Sequence, residues 1–268
     1  MRSITAWALD HMATNGTIDV AKNFNKEEKT KEMLDVLKVV CSVLKPHEVS
    51  EETVVAYAVQ DEIVTGGKRR AALLTLDGRW LHLHHLKDAP PPPHAITLPY
   101  NAIRDLVETG SGLCFLDLGW PGSTRGRLHV RLLGNTGRAL QFIYLCTGEK
   151  GPSYAHTNFT ALKNKGRHGE WLAGGDYDGK CAAPLVDGLT EGGEYQKPKV
   201  AGLVGGVYAK GSNRNGLFGI WVREEANPKP CDLGFAKVEH GLAVLKSAAG
   251  YSNIKEVKIL DCGVVIPL

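Results

Sequence analysis

Chemistry in this chain has to be sought first where histidines, basic residues and carboxylates recur at short spacing. In Trp80-Leu81-His82-Leu83-His84-His85, strand geometry would put His82 and His84 on one side, close enough to share a metal ion. No third ligand stands at matching spacing, and His94 lies beyond the proline run at 90–93. The pattern therefore predicts no metal, with the histidines on a polar outer face that alternates with Leu81 and Leu83. Lys68, Arg69 and Arg70 form the densest basic cluster, directly after Gly66-Gly67, and Arg79 follows one hairpin later. Each basic residue near an anionic membrane surface contributes about 1 kcal/mol, so this cluster alone predicts weak, reversible lipid attraction or a solvated turn.

The second half holds scattered reactive types. Asp176-Tyr177-Asp178-Gly179 has the opening of a calcium loop without its later ligands or distal glutamate. Cys181 with His168 is one of many thiol–imidazole combinations that ten histidines and six cysteines allow, and no spacing selects it. Gly202-Leu203-Val204-Gly205-Gly206 lacks the spacing and the following helix of a dinucleotide fingerprint. No nucleophile elbow, zincin motif or phosphate loop occurs. No catalytic set and no cofactor are predicted. An enzymatic or ligand site, where one exists, is expected within 148–240, using Cys181, His168, Asp176 or Asp178.

Bulk composition narrows the classes. The chain has 268 residues, 43% apolar and 23% charged, with net charge +3, values of an ordinary globular protein of one large or two small domains. So small a positive excess gives no reason to expect nucleic acid. The six cysteines include no CxxC pair, which predicts reduced thiols rather than a disulfide framework or zinc site. The apolar stretch within 1–12 is short for a secretory leader, and no run approaches the 18 residues of a membrane span. A cytoplasmic location, without transmembrane segments, is the resulting expectation.

Elements must position these residues. Over 25–45, Met33, Leu34, Val36, Leu37, Val40, Val43 and Leu44 recur at helical spacing, acidic residues open the segment and Pro46 closes it. From residue 53 the period becomes two. Strands are predicted at 54–59, 71–76, 80–86, 96–98, 103–108, 113–118, 127–133 and 140–145, with Asp77-Gly78 a strong hairpin turn. A connecting region with one short helix near 158–165 is expected over 148–199. Strands follow at 200–210, 216–224, 233–238, 242–246 and 257–266. The fold class is mainly β (α+β). The domain scheme is an arm at 1–24, a helix plus barrel at 25–147, the connection at 148–199 and a Gly-rich β domain at 200–268. Tyr100-Asn-Ala-Ile-Arg-Asp-Leu106 is echoed by Tyr251-Ser-Asn-Ile-Lys-Glu-Val257, each ahead of a would-be alternating strand, which predicts a divergent tandem copy.

The first module resembles the bacterial pleckstrin-homology-like family related to GRAM domains. The resemblance rests on Leu44-Lys45-Pro46-His47-Glu48, on Leu73 to Leu81 around Asp77-Gly78, and on Ile96 to Leu106, and spans roughly 43–146. It implies a seven-stranded bent sheet capped by a helix, no catalysis, and an early basic hairpin loop (Lys68, Arg69, Arg70, with Arg79) that can meet anionic headgroups. The function expected on this reading is a non-enzymatic binding or assembly module. Its partner is a protein or a second copy of itself, met through strand edges and through the Met33, Leu37, Val40 and Leu44 stripe.

Overall fold

The computed structural model describes residues 35, 37, 53–60, 69–77, 80–107, 112–123, 126–180, 182–187, 189, 197–207, 216–227, 230, 231 and 233–266. It is mainly β and divides into two compact units, Met1–Glu108 with Val265–Leu268, and Thr109–Val264. No helix among the described residues is long and apolar enough to cross a membrane.

The first unit is built on β1 (Thr53–Gln60), β2 (Arg70–Asp77), β3 (Trp80–His84) and β4 (Thr97–Pro99). β1 and β2 pair antiparallel, as do β2 and β3, while β4 joins β1 in parallel. β2 and β3 pair as the Asp77-Gly78 dipeptide predicts, with Asp77 opposite Trp80. Ile103 and Arg104, expected to begin a strand over 103–108, instead end a short helix, α1 (Tyr100–Arg104), started by Pro99 with its preset φ of −65°, and 105–107 form a turn. Of the helix expected at 25–45, Asp35 and Leu37 are helical and the rest lies outside the described residues.

In the second unit β5 (Leu113–Gly119) and β6 (Gly126–Leu132) lead into α2 (Gly137–Thr147). Then come β7 (Ala161–Lys163), β8 (Trp171–Gly174), β9 (Lys197–Pro198), β10 (Leu203–Gly206), β11 (Phe218–Trp221), β12 (Pro230–Cys231) and β13 (Gly234–His240). The unit ends with α3 (Leu242–Gly250), a 3-10 turn (Ile254–Glu256) and β14 (Lys258–Ile266). β9 and β12 form a small separate ribbon. The main strands follow the order β14-β5-β6-β13-β10-β11-β8-β7. Hydrogen bonds from His156 N to Ile259 O (2.6 Å), Ile259 N to Thr157 O (2.8 Å) and Phe159 N to Val257 O (2.9 Å) then tie the run entering β7 to β14. The ladder therefore closes into an eight-stranded barrel.

Both runs expected as strands at 140–145 and 242–246 are helices, and for the first of them the caps explain why. Thr136 accepts a hydrogen bond from Ala139 N at 3.1 Å, and Gly148 ends α2 at φ 70°. Ala139, Phe142, Ile143 and Cys146 then fall on one buried stripe. The stretch near 158–165 is β7 rather than a helix.

α2 delivers Phe142 into a cluster of rings: its centroid lies 5.3 Å from Tyr154, 5.5 Å from Phe218 and 5.5 Å from Phe235. Tyr154 and Phe218 meet at 5.1 Å, and Phe159 meets Phe218 edge-on at 6.4 Å. An eight-stranded barrel is just wide enough to be filled by its own side chains. Gly175 makes the packing possible, since at its φ of +90° a Cβ would lie 2.8 Å from Phe218 Cδ1. The rings of this cluster fill the interior around Phe142.

On β6, His129 stands edge-on to His240 of β13, with ring centroids 5.8 Å apart. Burial first, then the Arg127 guanidinium and His240, lower its pKa from 6.5 to about 4. A folded pKa below the unfolded one means the unfolded chain binds more protons between those values, so this imidazole's contribution is complete above 6.5 and lost toward 4. The Tm of the wild-type chain should therefore fall as pH drops through that window, and His129→Gln should flatten that slope in thermal melts; an unchanged slope would refute the assignment.

Candidate functional site

A cleft of about 670 Å³ opens on the outside of the barrel, where the β7–β8 turn, the segment after β11 and the end of α3 come together. Its apolar part comes from Ala201, Val222 and Ala249. Around this stand Lys165, His168, Glu170, Arg223, Glu224 and Lys246. Such a mixture, an apolar floor with a few converging polar groups, is the usual composition of a small-ligand site.

Glu170 organises the cleft. It is 4% exposed. Its Oε1 accepts Gly166 N at 2.9 Å and its Oε2 accepts Arg223 Nε at 2.7 Å. Its backbone carbonyl takes Val222 N at 2.8 Å and Arg223 N at 3.2 Å, which pins the β7–β8 turn to the chain leaving β11. Glu224 O receives Gly169 N, and Asn164 Nδ2 reaches Gly169 O at 3.1 Å, so the turn carrying His168 is fixed at both ends. Arg223 is half-exposed, and among the described residues its two Nη groups have no protein partner. Lys246 and His168 are exposed and likewise have none, whereas Lys165 Nζ reaches Tyr251 O at 3.4 Å. With Glu170 already paired, the cationic groups outnumber Glu224.

Next to the cleft the outer faces of β8, β10 and β11 carry Trp171, Leu203 and Trp221. The two indoles stack at 5.9 Å with 26° between planes, and a Cβ on Gly219 would sit 2.8 Å from Trp171 Cε3. Leu203 and Trp221 are buried with Trp171 packed on them. Trp221 Nε1 has no hydrogen-bond partner among the described residues.

The residues singled out from sequence are distributed as follows. His168 lies in the cleft. Asp178 is instead a local staple: its carboxylate accepts Lys180 N at 2.7 Å, Ala182 N at 2.9 Å and Ala183 N at 3.0 Å. These bonds, the one from Ala183 foremost, hold its pKa below the usual carboxylate value, and Tyr177 OH closes the same turn on Ala183 O. Asp176 precedes that turn, and Cys181 lies outside the described residues. Arg70 is buried, donating to Asp88 Oδ1 at 3.0 Å and Leu86 O at 3.2 Å, while Arg69 is exposed and Lys68 and Arg79 lie outside the described residues. Leu37 is fully buried, and Met33, Val40 and Leu44 lie outside the described residues.

His82 and His84 are not on an outer face. Both are buried, and His84 Nε2 lies 2.8 Å from Thr75 Oγ1. Leu81 and Leu83 are buried as well, because β3 is covered on both sides and alternation there does not separate core from solvent. Among the described residues no group of three or more His, Cys, Asp or Glu is arranged to hold a metal. Glu170, Arg223 and Lys246 escaped the sequence reading because each is an ordinary surface type in its local window.

No family model and no curated protein matches the chain. Among solved structures, the chain is similar to the crystal structure of the Mimivirus cyclophilin, with a TM-score of 0.46 and 19% identity over 62% of this chain and 95% of that one. The pleckstrin-homology-like resemblance is corrected by the topology. β5, β6 and α2, which should complete one module with β1–β4, belong instead to the Thr109–Val264 unit, where α2 plugs a different barrel. The tandem copy goes with it, since Tyr100 opens a helix while Tyr251 follows one and leads into a 3-10 turn capped by Asn253. The non-enzymatic assembly module and the oligomer, both drawn from that resemblance, are withdrawn.

Proposed function

We propose that the Thr109–Val264 unit is a small-ligand-binding barrel that takes an anionic ligand in the outer cleft beside Glu170. The supporting observation is the cleft itself, a concavity of about 670 Å³ whose rim keeps the Arg223 Nη groups and the Lys246 ammonium without an acceptor among the described residues, around an apolar floor. Glu170 acts as the positioning group: by taking Arg223 Nε, it fixes the guanidinium and leaves the Nη donors for a carboxylate or phosphate oxygen. Ligand contacts by Arg223 and Lys246 are charge-assisted hydrogen bonds, each worth about 1.5–3 kcal/mol.

The test is a titration of the full chain with inorganic phosphate and with succinate, followed by amide chemical shifts. Saturable shifts are expected at 165–170, 222–224 and 246–250. The Arg223→Gln/Lys246→Gln variant should bind about tenfold or more weakly. Absence of saturable shifts with both anions, or equal affinity in the double variant, would overturn the reading.

A further inference from the structure

A second concavity, of about 420 Å³, lies on the barrel at Gly119, Trp120, Asn158, Lys255, Lys258 and Leu260. One wall is apolar. Trp120 opens the β5–β6 turn, and Ser123 clamps it: Trp120 N donates to Ser123 Oγ at 2.9 Å while Trp120 O accepts Ser123 N at 3.0 Å. The indole is further supported by Tyr251, with ring centroids 6.4 Å apart. Leu260 lies over Gly119, where a Cβ would come within 2.5 Å of its Cδ1. Even so, Leu260 remains 37% exposed, one of two large apolar side chains so exposed among the described residues.

The opposite wall is cationic. Asn158 Nδ2 donates to Lys255 O at 2.5 Å and Asn158 bridges to Lys258, so both lysines spring from a fixed ladder end. Their ammonium groups have no protein partner among the described residues. Glu256, between them, is already occupied, accepting Tyr251 OH at 2.8 Å and Asn253 Nδ2 at 2.9 Å.

We infer that this groove is a separate binding site for a small aromatic anion, its ring against Trp120 and Leu260 and its acidic group at Lys255 and Lys258. A flat apolar body is needed to cover the indole and the exposed leucine, and a negative group to use two ammonium ions that outnumber Glu256 in the lining and have no ion pair among the described residues. The volume suits one small molecule. The site shares no lining residue with the cleft at Glu170, so it stands independently of the proposed function.

The probe is 8-anilinonaphthalene-1-sulfonate, titrated into the folded full chain and followed by amide shifts, with the uncharged N-phenyl-1-naphthylamine as a control. Saturable one-site binding is expected, with shifts at 119–123 and 255–260. The neutral control and the Lys255→Gln/Lys258→Gln variant should each bind about tenfold more weakly. These lysines are exposed and unpartnered, so the variant should retain its Tm. Leu260→Asn supplies a second disruption from the apolar wall and should also weaken binding. Shifts centred on 165–170 instead, equal binding of charged and neutral probes, or undiminished affinity in the lysine variant would overturn the site.

Discussion

Phe142→Ala should lower the stability of the Thr109–Val264 unit by about 3–5 kcal/mol, the cost of emptying a ring-sized space in a packed core. For a unit of this size that corresponds to a fall in Tm of roughly 6–20 °C. Phe142 is 1% exposed and touches three other rings, from the loop after α2, from β11 and from β13. Phe218 and Phe235 belong to the barrel wall and cannot collapse inward without breaking ladder hydrogen bonds, so the cavity should persist. Phe142→Leu keeps most of the volume and should cost well under half as much. Denaturant melts of both variants distinguish a plug that holds the barrel from a ring that merely lines it. Similar small losses in both would show that the interior readily repacks.

The plug also shows where sequence reading stops. The hairpin at Asp77-Gly78 was legible because the turn type dictates its residues locally. The run 140–145 was ambiguous, since Leu140, Phe142, Ile143 and Leu145 satisfy both a two-residue and a 3.6-residue period over so short a window. The deciding signals, Thr136 and Gly148, stood in the sequence just outside it. His82 and His84 were misplaced for the opposite reason: alternation was present but both faces of β3 are covered. Barrel closure, by residues 156–159 against 257–259, joins segments about a hundred positions apart and leaves no local trace. The same holds for the cleft. His168 was singled out by type, whereas Glu170 and Arg223 acquire their role only because β8 and β11 are neighbours.

Arg127→Met should cost about 3–5 kcal/mol through what it leaves behind. Asp117 on β5 and Arg127 on β6 face each other in register, and the guanidinium grips the carboxylate with Nε at 2.6 Å and Nη2 at 2.8 Å. The Asp117 side chain is 1% exposed and that of Arg127 15%, so this is not the surface kind of ion pair, worth at most about 1 kcal/mol. Arg127 also lies 4.4 Å above the Phe115 ring, a contact worth about 0.5–2 kcal/mol. Removing the arginine takes two charge-assisted bonds from a buried carboxylate, and methionine fills the space without answering the charge. Pairing the change with Asp117→Leu removes the charge that those bonds had answered, so the double variant should recover most of the loss. That sets the sign of the double-mutant cycle: the two changes together should be much less harmful than the sum of each alone. Additive losses would mean that the pair is not coupled, and a loss below about 1 kcal/mol in Arg127→Met would place it with the weak surface pairs.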